Sequence, residues 1–249
     1  MKLTRGIICV IAVIVVVQLS AARGKDEKKD KLKGQMVDSG SFNVIVKGQN
    51  VLTETFTIEE QEGIDTVKAQ VKEVAGSDPV QQKSTLEFTS QGQLLRYEWS
   101  QRSGGSLSLV PNNDFLIEKI TGPGSGKASE HPFLMPSTSV VLDNNFFIHR
   151  EVLAWRYLAS DCKSEGGSLK CQQGPAEFGA IVPQEQTSMS VRMELVGKEK
   201  VSLRGVERDL LRVDLSGENF QWSLWLDDQD HFKLMRVAIP ADKTEVVRN

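Results

Sequence analysis

The side chains in this chain that could do chemistry are few and widely spaced. Histidine occurs at His131, before a proline; at His149, inside an apolar run; and at His231, behind an acidic cluster. A zinc site of the metalloprotease kind needs two histidines one helical turn apart with a glutamate beside the first, and that spacing does not occur. Hydrolases of the common kind carry their nucleophile in Gly-x-Ser-x-Gly, which is also missing, as is a dinucleotide-binding glycine fingerprint. The stretch 121–130, TGPGSGKASE, has the glycines and the lysine of a phosphate loop but the wrong spacing. Only three residues separate Gly122 from Gly126, and Ala128 stands where Ser or Thr would hold a metal ion. The acids Asp227, Asp228 and Asp230 lack the glycine and later glutamate of a calcium loop, so they read as a turn. The remaining carboxylates are scattered over strand-like segments, where alternation turns most of them toward solvent. These patterns name no catalytic residue, no metal ligand and no cofactor site.

The cysteines point to a compartment. Cys162 and Cys171 enclose KSEGGSLK, a polar loop with two central glycines, and in an exported protein such a pair forms a disulfide. A loop of that size stabilises a fold by roughly 2 to 3 kcal/mol in the chain-entropy picture. Export is what the N-terminus implies. Lys2 and Arg5 precede the apolar run Ile7 to Val17, and Ser20 and Ala22 form a small-residue cleavage site. The run is shorter than the roughly 20 apolar residues of a spanning helix. Residues 1–22 therefore read as a signal peptide, with an uncleaved membrane anchor over residues 7–22 as the alternative. The third cysteine, Cys9, lies inside the apolar run and does not suit a lipid-anchor motif. Residues 23–40, dense in charge and poor in large apolar groups, read as a flexible linker. The expected location is periplasmic or otherwise extracytoplasmic, with membrane contact only through the N-terminal segment. A net charge of -3 gives no electrostatic case for nucleic acid.

The elements that must position these side chains are mostly strands. From Ser41 the pattern has period two: Phe42, Val44 and Val46, then residues 51–59, 67–71, 84–89, 93–99, 106–110 and 114–120, separated by short turns. A second block follows at 178–183, 189–195, 200–204, 209–215, 220–226, 232–239 and 244–248. Between the blocks stands the one convincing helix, expected over 144–159, with Asp143, Asn144 and Asn145 as capping candidates. Ile148, Val152, Trp155 and Ala159 fall on one stripe, which Phe147, Ala154 and Leu158 broaden. Arg150, Glu151 and Arg156 are expected in water, and His149 on the helix surface. So wide an apolar face must be covered by something large, and the concave side of the sheet is the available cover. The expected fold class is mainly β: one domain over 41–249, with a curved antiparallel sheet, a half-barrel, wrapped around one central α-helix.

Three segments add a resemblance: residues 141–157 (VLDNNFFIHREVLAWRY), 181–184 (IVPQ) and 225–240 (WLDDQDHFKLMRVAIP). They are similar to a family of exported bacterial β-rich domains, some of which precede secreted α/β-hydrolase domains. That plan, many antiparallel strands and one mid-chain helix behind an export signal, resembles the lipoprotein localisation factors (the LolA/LolB-like fold). The resemblance covers about Ser41 to Arg248. It implies a half-barrel and an exported setting, and carries over no catalytic residue. The function expected first is therefore non-enzymatic, the binding of a lipid or other hydrophobic molecule in the concave face. Phe146, Phe147, Trp155, Tyr157, Trp222 and Trp225 are the candidate lining residues, with plain core packing as the other reading of each. The alternatives are an envelope interaction module that docks a protein partner without a cavity, and an enzyme with an unrecognised site.

Overall fold

Among the described residues, alternation of apolar and polar side chains drives most of the backbone into strands, and a single α-helix interrupts them. The computed structural model describes residues 34–74, 80–124, 126–166 and 168–249. The expected signal peptide or anchor, the linker as far as residue 33 and residues 75–79 of an expected loop lie outside the described residues.

The first block contains β1 (Gln35–Val46), β2 (Gln49–Gln61), β3 (Ile64–Glu73), β4 (Gln82–Thr89), β5 (Leu94–Gln101), β6 (Ser106–Asn112), β7 (Phe115–Thr121) and β8 (Ala128–Phe133). The short β9 (Val140–Val141) leads into α1 (Ile148–Asp161), followed by the hairpin of β10 (Cys162–Glu165) and β11 (Ser168–Cys171). The second block contains β12 (Ala176–Val182), β13 (Thr187–Leu203), β14 (Val206–Ser216), β15 (Gln221–Asp227), β16 (Lys233–Ile239) and β17 (Thr244–Arg248). Fifteen of these strands form one sheet, in the order β8-β7-β6-β5-β4-β3-β2-β1-β17-β16-β15-β14-β13-β12-β9. Each block is thus an antiparallel meander, and the two join where β1 pairs with β17, the first described strand beside the last. The sheet is not closed into a barrel. Its edges are β8 and the two-residue β9, the latter parallel to β12.

Register carries the apolar residues across the sheet in rows. Ile58, Val67, Leu86, Tyr97 and Leu109 pair in sequence across β2 to β6, and Val44, Val246, Val237, Leu224, Val213 and Leu195 across β1 and β17 to β13. Those residues that are buried form one core with Phe146, Ile148, Leu153, Ala154 and Tyr157 of the helix region. At about 25 cal/mol per Å² of apolar surface removed from water, this shared face supplies the main drive to hold α1 on the sheet.

Four sequence expectations are corrected. Strand β1 begins at Gln35, inside the expected linker, because Asp38 is buried by a partner at the far end of the chain. Strand β8 takes the last three residues of the expected glycine loop, Ala128 to Glu130, paired with β7. The segments 189–195 and 200–204 are one strand, β13, with a bulge between Leu195 and Gly197. The helix starts at Ile148 rather than at 144, since Asp143 and Asn144 are engaged elsewhere: Asp143 closes a turn onto the Asn145 N–H at 2.7 Å, and Asn144 donates to Glu185. The expected disulfide is present, joining Cys162 to Cys171 across the β10–β11 hairpin.

Candidate functional site

A helix N-terminus leaves amide N–H groups without intrahelical partners and carries partial positive charge. Here the partner comes from the sheet. Glu54 of β2 is fully buried, and its two carboxyl oxygens accept from the Phe147 N–H at 2.7 Å and the Ile148 N–H at 3.2 Å. Burial pushes the Glu54 carboxyl up to about 8, against the opposing pull of those N–H groups and of Arg150.

Next to this cap lies a second buried group. The Arg150 guanidinium donates to the carbonyls of Asp143 and Phe146 and lies over the rings of Phe147 and Trp222, at 5.3 and 4.8 Å from their centroids. The Asp143 carboxylate accepts from Tyr97 and Gln184. Burial raises Asp143 above the usual carboxylate range and lowers Arg150 to about 10, which leaves the guanidinium charged at neutral pH. One cation thus faces two carboxyls, and a proton retained on Glu54 leaves the cluster neutral, the arrangement a dry interior tolerates best.

A third group ties the helix to the β1–β17 seam. Glu151 accepts from the Leu234 N–H at 2.7 Å and from Arg248 at 3.0 Å, and Arg248 also grips both Asp38 oxygens at 2.7 and 2.6 Å. Lys233 stands 3.5 Å from Asp38. The arginine lies over the Phe42 and Phe56 rings, and Gly40 makes room for it: a Cβ there would meet Arg248 and Phe56 at 3.1 Å. Burial, reinforced by Asp38, raises Glu151 well above the carboxylate range. Arg150 and Glu151, expected in water, are therefore interior residues: Arg150 is met by carbonyls of the preceding turn and by Trp222 of β15, and Glu151 by groups of β16 and β17.

Beside these groups opens a cavity of about 520 Å³. One wall is the helix, through His149, Val152, Leu153, Trp155 and Ala159. The facing wall is Leu86 and Phe88 of β4 with Leu94 of β5, and Val140, Val141 and Phe178 close the side toward β9 and β12. The polar lining comprises Asp65, Ser90, Gln91, Ser139, Arg156 and Ser160. Arg156 bridges two of these walls. Its guanidinium donates to the Gly92 carbonyl at 3.2 Å and sits 5.5 Å from the Phe178 centroid. Gly92 lies in the left-handed region (φ +77) and would bring a Cβ to 3.2 Å from the Arg156 stem, so both conformation and space call for glycine there.

Two residues that line this cavity carry a fully buried polar atom with no protein partner, His149 at Nε2 and Ser139 at Oγ. The His149 ring is packed edge-on to Tyr97 and stacked on Phe146, and its Nδ1 accepts weakly from the Asp143 N–H at 3.4 Å. Burial, then Arg150, lowers its pKa to about 3, so the ring is neutral.

The six aromatic candidates do not converge. Trp155 lines the cavity, with its indole N–H donating to the Phe232 carbonyl at 3.0 Å. Phe146, Phe147 and Tyr157 are core residues, and the Tyr157 hydroxyl accepts from the Leu195 N–H at 3.0 Å. Trp222 covers Arg150. Trp225 belongs to a separate apolar cluster with Val201, Leu203 and Leu210, and its indole N–H reaches Glu199 at 3.0 Å. The residues that sequence reasoning missed are Leu86, Phe88, Leu94, Ser139, His149 and Phe178. Leu86, Phe88, Leu94 and Phe178 fall within segments expected as strands, though not singled out there, and Val152, Trp155 and Ala159 of the helical stripe front the cavity. No protein-family model, curated protein or solved structure matches the chain.

Proposed function

We propose that this chain is an exported, non-enzymatic binding protein that takes an apolar small molecule or a single lipid chain into the cavity between α1 and the sheet. The observation that carries this reading is the cavity: several hundred cubic ångströms, walled mainly by aliphatic and aromatic side chains, with a few polar groups among them. That is the composition of ligand sites in general. Two features support the setting. The Cys162–Cys171 bridge suits an oxidising compartment, and one large open antiparallel sheet with a single helix against it offers an apolar face for such a ligand.

The two alternatives fare less well on particular observations. A docking module would use a free sheet edge, yet β8 carries Glu130 and Pro132, residues that discourage strand addition. An enzyme would need an activated group. His149 Nδ1 faces a backbone N–H rather than a carboxylate, its Nε2 has no contact with Ser139 Oγ, and a pKa of about 3 is far below that of a general base working near neutrality.

Native mass spectrometry of the full chain from an export-competent host, followed by organic extraction, tests the proposal. A bound apolar species that Leu153→Asp or Trp155→Asp removes while the fold is retained is the expected outcome. A clean unliganded mass, with no uptake of a fluorescent lipid added afterwards, overturns it.

A further inference from the structure

The cavity has a closed end and a mouth. Leu94, Val140, Val141, Leu153 and Phe178 of its lining are buried, whereas Ser90 and Gln91 of the β4–β5 turn and Ala159 and Ser160 near the end of α1 are exposed. Arg156, half-buried, stands at this mouth. Its guanidinium reaches from α1 to the Gly92 carbonyl beside Gln91 and to the Phe178 ring, so it lies between two residues of the lining itself.

An arginine keeps its charge at neutral pH, and drawing a cation out of water without an anion costs free energy. Among the described residues Arg156 makes that one hydrogen bond and no ion pair, which leaves most of its N–H donors without a protein partner. Burial lowers its pKa, with no carboxylate pulling the other way. The carboxylate of the lining, Asp65, stands opposite Glu60 in the β2–β3 register. Burial and then Glu60 raise the Asp65 pKa, so this group can take up a proton where the arginine does not lose one.

Resting on the binding reading above, we infer that the ligand is a single-chain carboxylate amphiphile, its alkyl chain in the closed end of the cavity and its carboxylate at the mouth on the Arg156 guanidinium. The planar fork of N–H donors matches a carboxylate in shape, and one uncompensated cation matches one negative charge. A phosphate monoester carries nearly two.

The test is displacement of an apolar naphthylamine fluorophore from the full chain near neutral pH, by dodecanoate, dodecyl phosphate, dodecanol and dodecylamine, in the wild type and in Arg156→Gln. A hydrogen bond to a charged group changes affinity by about tenfold or more. Dodecanoate is therefore expected to bind at least about tenfold more tightly than dodecanol, and to outcompete dodecylamine and dodecyl phosphate. Arg156→Gln, whose amide can still donate to the Gly92 carbonyl, is expected to cut the preference for dodecanoate over dodecanol about tenfold, with a thermal melt to verify the fold. Should that variant not fold, the wild-type series decides alone. If dodecanol or dodecylamine binds as tightly as dodecanoate, or the preference survives in Arg156→Gln, the inference falls while the binding reading stands. Tighter binding of dodecyl phosphate overturns the carboxylate head in the same way. If the wild type does not take up the fluorophore at all, both fall.

Discussion

Glu54 and His149 are buried ionisable groups whose effects on stability oppose each other across the pH range. Glu54 is raised from 4.5 to about 8, so its stabilising protonated form is fully present below about pH 4.5 and is lost as pH rises through 8. Glu118, buried on β7, is raised to about 7 by desolvation and acts in the same direction. His149 is lowered from 6.5 to about 3, so its contribution is present above pH 6.5 and is lost as pH falls through 3. Between pH 4.5 and 6.5 the two glutamates outweigh the histidine. These groups therefore place maximum stability near pH 5, with a decline of about 1.4 kcal/mol per pH unit toward pH 8. Thermal melts from pH 3 to 9 should show that decline, and Glu54→Gln should lessen it while changing little at pH 5, the rest coming from Glu118, Asp143 and Glu151, which burial raises in the same direction. Stability that stays level or rises between pH 5 and 8 would contradict the assignment of the Glu54 proton. Only part of this was legible in the chain. Glu54 falls in phase with the inward-facing Phe56 and Ile58, but nothing local names what it meets there, since its helix partners lie 93 and 94 residues away.

The helix was legible as an element and its surroundings were not. The stripe of Ile148, Val152, Trp155 and Ala159 announced an apolar face, but Arg150 and Glu151 could only read as wet, because Trp222 of β15 covers the first and Leu234 of β16 and Arg248 of β17 meet the second. The capping triad at 143–145 misled for a related reason: those side chains shape the turn before the helix, and Glu54 caps it from another strand. Element ends also moved wherever tertiary pairing overrode local pattern, as at β1 and β8. Arg248 is the tie among elements, joining Asp38 on β1 to Glu151 on α1. Removing one partner of a buried ion pair strands the others, which costs about 3 to 5 kcal/mol. Arg248→Met is expected to show a loss of that size in urea unfolding. A loss under about 1 kcal/mol, the range of an exposed pair, would mean that the seam does not depend on it.

At the scale of the molecule, two meanders join at the β1–β17 seam and the helix lies against strands on both sides of it, through Glu54 on β2, Leu234 on β16 and Leu195 on β13. The mainly antiparallel plan with one mid-chain helix could be read from period two, turn spacing and a single amphipathic stretch. The order that sets the last strand beside the first could not, since register between distant segments leaves no local trace. The cavity follows from that arrangement, as the helix stands off from β4 and β5 and the gap is left to the side chains that line it. Whether the gap holds a ligand is most directly tested by uptake of an apolar fluorophore, compared between the wild type and Val152→Trp, which fills the cavity from the helix side. Saturable uptake by the wild type, lost in Val152→Trp with the fold intact, is the expected result. Equal uptake by both, or none by the wild type, would contradict a binding function for this cavity.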